Sequence, residues 1–470
     1  MIDTATRRAM KPGQVVPFKD RVSYTFAEIG SHFVWTLVGS YLVLFYTDVA
    51  LLAPATVALI MLIARVWDAV DDPALGYIAE RTKTKWGRFR PWILFGAPLL
   101  AVSVVLTFIA PDFGGNMTAK AVYAGVTYII LGILYSAVNM TYGAMAGVMT
   151  KDYDERVILN WYRGIGGQVG DLILGIIAVP LLIFFSGAAD QSGVNANGFL
   201  WLAVSLAVAS VPMFLITFFN SKEVIVPQIE KVRVPLATTL KVVFTNRNLL
   251  LVSGALLLML IGLFGRLGIV VFYVRGNMGN IALMAGVMTV FGVAGTVGTI
   301  LMPRLATRFG KKQMLAGSMI LAAAALLAIF FTPASNTTAI IVLTAVYGFS
   351  GFGGPIALSM VPDTVDEQEY KTGVRSDGTA YAFTSLSTKI ASAIGGSVGI
   401  LVIGAFGYVA NTEPTPQVLQ GINVATNLVP ALFALAGAVL ILFYSLTEEK
   451  VRAIRVELDA RNPEKADAES

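Results

Sequence analysis

The chain has no cysteine, which excludes disulfides and thiolate metal sites. It has one histidine in 470 residues, which excludes histidine-rich metal sites. Charge is scarce too: 13% of residues are Asp, Glu, Lys or Arg, against about 25% in soluble domains. That scarcity argues against the roughly three soluble domains that length alone would suggest. No small-residue cleavage site follows the basic start "MIDTATRRAMKPGQVVPFKDR", so no removable signal peptide is expected. No nucleophile stands beside a base, and no Gly-rich phosphate loop sits between strand and helix, so no enzyme is expected.

What is abundant is apolar. Hydrophobic residues make up 56% of the chain, and the mean hydropathy is +0.73. About 12 stretches reach the roughly 20 residues that a spanning helix needs. They lie near 26–47, 54–80, 91–110, 120–148, 160–187, 198–219, 248–274, 281–302, 313–332, 338–361, 375–408 and 421–446. The predicted class is an all-α membrane protein in a lipid bilayer. The formal net charge is +5, and its placement is informative. Lys and Arg gather at 81–90, at 151 and 156, in the central segment, at 304–312 and after Thr447. The intervening loops are nearly free of them, Arg275 excepted. The positive-inside rule then places both termini in the cytoplasm.

The segment 220–247 divides the chain into two six-helix halves, 25–219 and 248–446, flanked by an N-terminal segment 1–24 and a tail 447–470. The basic stretch "KWGRFRP" (85–91) has a counterpart in "RFGKKQM" (308–314), each after the second helix of its half. The stretch "TKDYDER" (150–156) is loosely mirrored by "PDTVDEQEYKTGVR" (362–375). Such repeats fit a transporter whose halves are related by an axis along the membrane normal. The residues 458–470 read as a polar, disordered end.

The informative anomaly is "ARVWDAVDDPALGY" (64–77) on the second helix. Asp68 and Asp72 are four apart and share a face. Asp71 lies about 60° round from Asp68, and Arg65 is one turn earlier. Ionised groups in a membrane are costly and usually mark ion pathways. Carboxylate oxygens suit a hard cation such as Na+ at Asp68 and Asp72, or a proton. The plainer alternative is an interhelical ion-pair network. Other ionisable residues fall in predicted spans: Glu28 and His32 on helix one, Arg163 and Asp171 on helix five, Arg266 on helix seven and Lys389 on helix eleven. Lys389 is a candidate partner of the helix-two acids. Arg163, Arg266 and His32 suit an anionic or hydroxyl-rich ligand. Helix four adds "LYSAVNMTYGAM" (134–145), with Tyr135, Ser136, Asn139, Tyr142 and Gly143 at helical spacing. An interhelical hydrogen-bond seam uses similar residues. Trp161 on helix five and Thr384 and Ser385 on helix eleven complete the candidate substrate set. "GFSGFGG" (348–354) reads as close helix packing.

The stretches "FYTDV" (45–49), "ARVWDAVDDP" (64–73), "KWGRFRPWILFG" (85–96), "YSAVNMTYGAM" (135–145) and "VPDTVDEQEYKTGVRSDG" (361–378) resemble the glycoside–pentoside–hexuronide cation symporters. That family includes melibiose permease and the glucuronide carriers. The resemblance runs from about Tyr24 to Lys450. It implies the major facilitator fold, a bacterial inner membrane, H+ or Na+ coupling, a sugar or glycoside substrate, action as a monomer, and neither cofactor nor nucleic-acid partner. It further implies a cation site at Asp68 and Asp72, with Asp71 in place of Asn, a helix-four hydroxyl at Ser136, and Lys389 nearby. Arg163 matches a sugar-site Arg. Where melibiose permease has acids on helices one and four, this chain has His32 and Asn139. Where that carrier has aromatics on helices four and ten, it has Gly143 and Gly354. The loss of two acids, with Arg266 near, points to an anionic sugar such as a glucuronide, hexuronide or sulfosugar. A neutral pentoside or glycoside is the alternative, and a lysolipid-like amphiphile is a rival class. Arg88, Glu369 and Arg375 are expected to serve a cytoplasmic gate, although basic loops also satisfy plain topology.

Overall fold

The computed structural model describes residues 16–150, 153–188, 193–224, 244–373 and 377–461. The first half supplies α1 (Phe18–Leu44), α2 (Pro54–Arg81), α3 (Arg90–Thr107), α4 (Met117–Met149), α5 (Tyr153–Ser186) and α6 (Ala196–Asn220). The second half supplies α7 (Arg247–Phe272), α8 (Leu283–Phe309), α9 (Lys311–Phe331), α10 (the span Thr337–Thr372), α11 (Asp377–Ala405), α12 (the span Pro416–Leu442) and α13 (Glu448–Arg461). Among the described residues, eleven helical spans are long and apolar enough to cross a membrane. The twelfth, α2, has the length but carries Arg65, Asp68, Asp71 and Asp72, the charge that sets it apart in the sequence. Pro98, Pro180 and Pro212 lie inside helices, as membrane spans tolerate.

The described residues fall into two compact units whose limits cut across the sequence halves. The first takes in the chain to Glu230 with Leu267–Gly292 and Gly396–Ile422; the second comprises Lys231–Arg266, Val293–Gly395 and Asn423–Ser470. In the first, α1 packs on α5 and α6, and α4 on α2 and α3. In the second, α9 packs on α10 and α12 around Leu315, Met319, Ile356, Met360 and Ile441. A side chain at Gly353 would strike the Ser318 hydroxyl at 2.3 Å, so the "GFSGFGG" stretch is indeed a close helix contact. The α-helix there also tightens to a 3-10 turn at Ser350–Phe352.

The internal repeat reappears in local geometry. Gly87 (φ +115°) and Gly310 (φ +85°) occupy matching turns before α3 and α9. A side chain at either would collide with a carboxylate, Glu223 at 2.5 Å or Glu448 at 2.8 Å. Glu223 follows α6 and accepts from the amides of Arg88, Phe89 and Arg90 at 2.7–2.9 Å. Glu448 follows α12 and accepts from the Lys311 amide. Each carboxylate thus sits on the positive end of a helix. Arg90 donates to the Phe218 carbonyl at the end of α6, and Lys312 to the Leu442 and Tyr444 carbonyls at the end of α12. At the opposite end, α1 and α7 both finish in a π-turn, Phe45–Val49 and Tyr273–Asn277, followed by left-handed Leu51 and Gly279.

The polar tail is corrected in part. Residues 448–461 form α13, so 458–461 are helical; the rest of the tail lies outside the described residues. Val451 and Ile454 pack on the core of the second unit, and Arg455 bridges Asp363 and Asp366 on α10 at 3.0 and 2.9 Å. Lys311 reaches the other oxygen of Asp363 at 2.5 Å.

Candidate substrate and coupling site

Glu28, His32, Trp35 and Thr36 recur at three- and four-residue spacing, so α1 presents them along one face. Glu28 is buried. Its two oxygens take different partners: Arg163 Nε on α5 donates to one at 2.8 Å, and His32 Nε2 lies 3.6 Å from the other. The second ring nitrogen of His32, Nδ1, lies 2.8 Å from Asp171 on α5. Thr36 donates to the same Asp171 oxygen. Arg163 continues to Asn139 on α4 through Nη2 at 3.1 Å and lies over the Tyr142 ring at 5.2 Å. Asn139 donates to the Tyr135 hydroxyl at 2.8 Å. Tyr135 stacks on Trp35 with ring centroids 5.5 Å apart.

The chain of contacts then reaches α2. Arg65 lies over Trp35 at 5.3 Å, donates to Asp68 at 3.0 Å and to the Tyr128 hydroxyl at 3.0 Å. Asp68 is therefore ion-paired with its neighbour one turn away. The line from Asp68 through Arg65, Trp35, Tyr135, Asn139, Arg163, Glu28 and His32 to Asp171 is continuous. Glycines make the room. A Cβ at Gly132 would lie 2.7 Å from Asp68 Oδ1, one at Gly143 2.8 Å from Arg163 Nη1, and one at Gly167 2.8 Å from His32 Nε2. The cluster is not sealed: the side chains of His32, Arg163 and Asp171 are 24%, 29% and 38% exposed. It can offer donors, acceptors and aromatic faces to a bound molecule.

The structure does not bring every candidate here. Trp161 is two residues before Arg163, about 200° round α5, and is exposed beside Tyr162. Ser136 is part-buried on α4, one position past Tyr135. Asp71 is part-buried on α2; Asp72 lies on the same helix, its side chain outside the described set. Arg266 belongs to the second unit, buried over the Tyr347 ring at 4.9 Å. So do Lys389, part-buried on α11, and Glu369, near the end of α10. Thr384 is buried against Ser253 and the Ala380 carbonyl, while Ser385 is exposed. Arg88 contributes its backbone amide to the Glu223 cap. Arg375 lies outside the described residues.

A second constellation lies at the π-turn that ends α1. Asp48, in the π-turn of α1, contacts Arg275 from the π-turn of α7 at 2.5 Å. Tyr408, after α11, donates to Asp48 at 2.6 Å, and Asn411 donates to the Asp48 carbonyl at 2.8 Å. Burial, reinforced by the Asp48 carboxylate, pushes the Tyr408 phenol up, so it stays a donor. These residues line a pocket of about 460 Å³.

The family model described as MFS/sugar transport protein matches residues 23–448. The chain belongs to that family. It is a multi-pass membrane transporter of the major facilitator fold, not an enzyme. The isoprimeverose transporter of Lactiplantibacillus pentosus is 33% identical over 436 residues, covering 92% of this chain and 89% of that one. A glucuronide carrier protein homolog of Escherichia coli K12 is 32% identical over 451 residues, covering 95% and 97%. The crystal structure of a D-xylose–proton symporter superposes with a TM-score of 0.66 at 14% identity, covering 91% of this chain and 98% of that one; at that identity the likeness concerns the fold.

Proposed function

We propose that this transporter carries a sugar or glycoside into the cell together with a cation, H+ or Na+, across a bacterial inner membrane with both termini in the cytoplasm. The observation that carries the reading is the α1–α4–α5 cluster. It sets a stacked Trp35–Tyr135 pair beside His32, Asn139, Arg163 and Asp171. Sugars are held by such a mixture of aromatic faces and bidentate polar groups. Asp68 and Asp72 remain the proposed cation site, with Ser136 and Lys389 as supporting groups. Neutralising those acids lowers the cost of desolvating them, so cation binding favours closure around the sugar.

An anionic sugar is the first reading of substrate class, on the two lost acids at His32 and Asn139 and the cations Arg163 and Arg266. A specific observation favours a neutral glycoside as the second: Arg163 and His32 are already faced by Glu28 and Asp171. The test is binding to purified carrier, followed by tryptophan fluorescence, of phenyl glucuronide, sulfoquinovose, isoprimeverose and lysophosphatidylcholine. Saturable binding of only the first two supports the anionic reading. Saturable binding of isoprimeverose alone supports the neutral one. Binding of the lysolipid alone would sink the sugar reading.

A further inference from the structure

His32 stands between two carboxylates, each facing a different ring nitrogen: Asp171 at Nδ1, 2.8 Å, and Glu28 at Nε2, 3.6 Å. A neutral imidazole has one N–H and one lone pair, so one carboxylate would face a lone pair. Only the imidazolium presents an N–H to both. The ring cannot easily turn away. A Cβ at Gly170 would lie 2.7 Å from His32 Cβ and one at Gly167 2.8 Å from Nε2, so α5 presses directly on it. The Thr36 hydroxyl donates to Asp171 and fixes that carboxylate in turn.

The charges around the ring can be listed element by element. From α1 comes Glu28, and from α5 come Asp171 and Arg163. From α4 come the neutral Asn139, Tyr135 and Tyr142, and from α6 the neutral Ser210 and Phe214, which meet α1 at Gly30. With His32 protonated, two cations face two anions and the group is neutral. With His32 deprotonated, it carries one net negative charge.

We infer that His32, clamped between Glu28 and Asp171, is a proton-binding site inside the substrate cluster, loaded and emptied in step with the sugar; this rests on the sugar-transport reading above. A sugar seated on the cluster covers the exposed edges of His32 and Asp171. Covering a neutral group costs less than covering one with a net charge. The sugar therefore raises the affinity of His32 for the proton, and by linkage the proton raises the affinity for the sugar by the same factor. The site is distinct from the acids of α2 and binds a proton whether the ion held there is H+ or Na+.

His32 is the only histidine in the chain, so its spectrum is read without mutation. The experiment uses full-length carrier, free of any histidine tag, grown with 15N-histidine and reconstituted in nanodiscs. The ring nitrogens are followed by NMR from about pH 5 to about pH 10, with and without saturating phenyl glucuronide, isoprimeverose or sulfoquinovose. The expected result is an imidazolium at neutral pH whose titration midpoint rises when a probe binds. Between the midpoint of the free carrier and the raised midpoint of the bound carrier, the Kd of the probe should rise by up to about tenfold per pH unit. In Asp171→Asn, which loses one face of the clamp, the same signal should titrate at lower pH. A neutral single tautomer at pH 7, or a midpoint unmoved by a bound probe, would overturn the inference. If the free carrier shows the imidazolium and none of the probes binds, the clamp stands and the choice of sugar in the transport reading fails.

Discussion

Replacing Asp48 by Asn keeps the shape of the side chain and removes its charge. Asp48 is 7% exposed at its side chain and meets Arg275 at 2.5 Å and Tyr408 at 2.6 Å. A hydrogen bond to a charged group contributes about 1.5–3 kcal/mol. The Arg275 side chain is 32% exposed, which draws its contribution towards the lower end through solvent screening. The amide oxygen of Asn still accepts from one donor. The net loss is then about 2 kcal/mol, or roughly thirtyfold in the equilibrium for breaking these contacts. The absence of native cysteine makes the assay clean. A single Gly276→Cys lines the pocket, and its Cβ would meet Leu419 at 3.4 Å, an ordinary contact. Maleimide labelling of that cysteine should quicken about thirtyfold with Asp48→Asn, and Arg275→Ala should act in the same direction. If both act through one pair, the double variant should fall short of the sum of the two effects. An unchanged labelling rate in both single variants would refute the role assigned to these contacts.

Other contacts make equally direct predictions. Gly143→Ala places a methyl 2.8 Å from Arg163 Nη1; displacing the guanidinium should weaken probe binding about tenfold, or about 1.4 kcal/mol, by fluorescence titration. Arg65→Ala removes the ion pair to Asp68, whose side chain is 14% exposed, and should lower thermal stability by about 3 kcal/mol. Arg65→Ala with Asp68→Asn should recover much of that loss in a thermal-shift assay, and no recovery would contradict the pairing. Glu223→Ala strips the acceptor from three backbone amides and should cost about 1–3 kcal/mol. Glu448→Ala, the counterpart in the repeat, should also lower the melting temperature.

Much of the architecture is legible in the sequence because it rests on local signals. Apolar runs of spanning length reveal the helices, and the alternation of basic loops reveals the repeat. The glycine in "KWGRFRP" and in "RFGKKQM" marks a left-handed turn that each half needs. The partners of those turns are not legible, since Glu223 lies far along the chain from Gly87 and nothing local links them. The same holds for the site. Glu28 and Asp171 are visible as charges in apolar helices, but their pairing with Arg163 and His32 joins residues 135 and 139 positions apart. Trp35 had a readable signal, its three- and four-residue spacing from His32 and Glu28, yet one aromatic in an apolar helix looks like any core residue. The π-turns leave no pattern at all, so Arg275 stands out only as a cation on the wrong side of a charge rule. In α13, the apolar spacing of Val451, Ile454 and Leu458 foretells a helix that its charged composition hides.

Cation-coupled sugar transport is measured as uptake into proteoliposomes. Radiolabelled glucuronide, sulfoquinovose, isoprimeverose and melibiose would be offered under an inward proton gradient, an inward sodium gradient or neither, with wild-type carrier and with Asp72→Asn. At least one of these sugars should accumulate above equilibrium under one of the two gradients, with accumulation lost in the variant. Uptake that only equilibrates, unmoved by either gradient and unchanged in Asp72→Asn, would contradict coupled transport and leave the acids of α2 as structural groups.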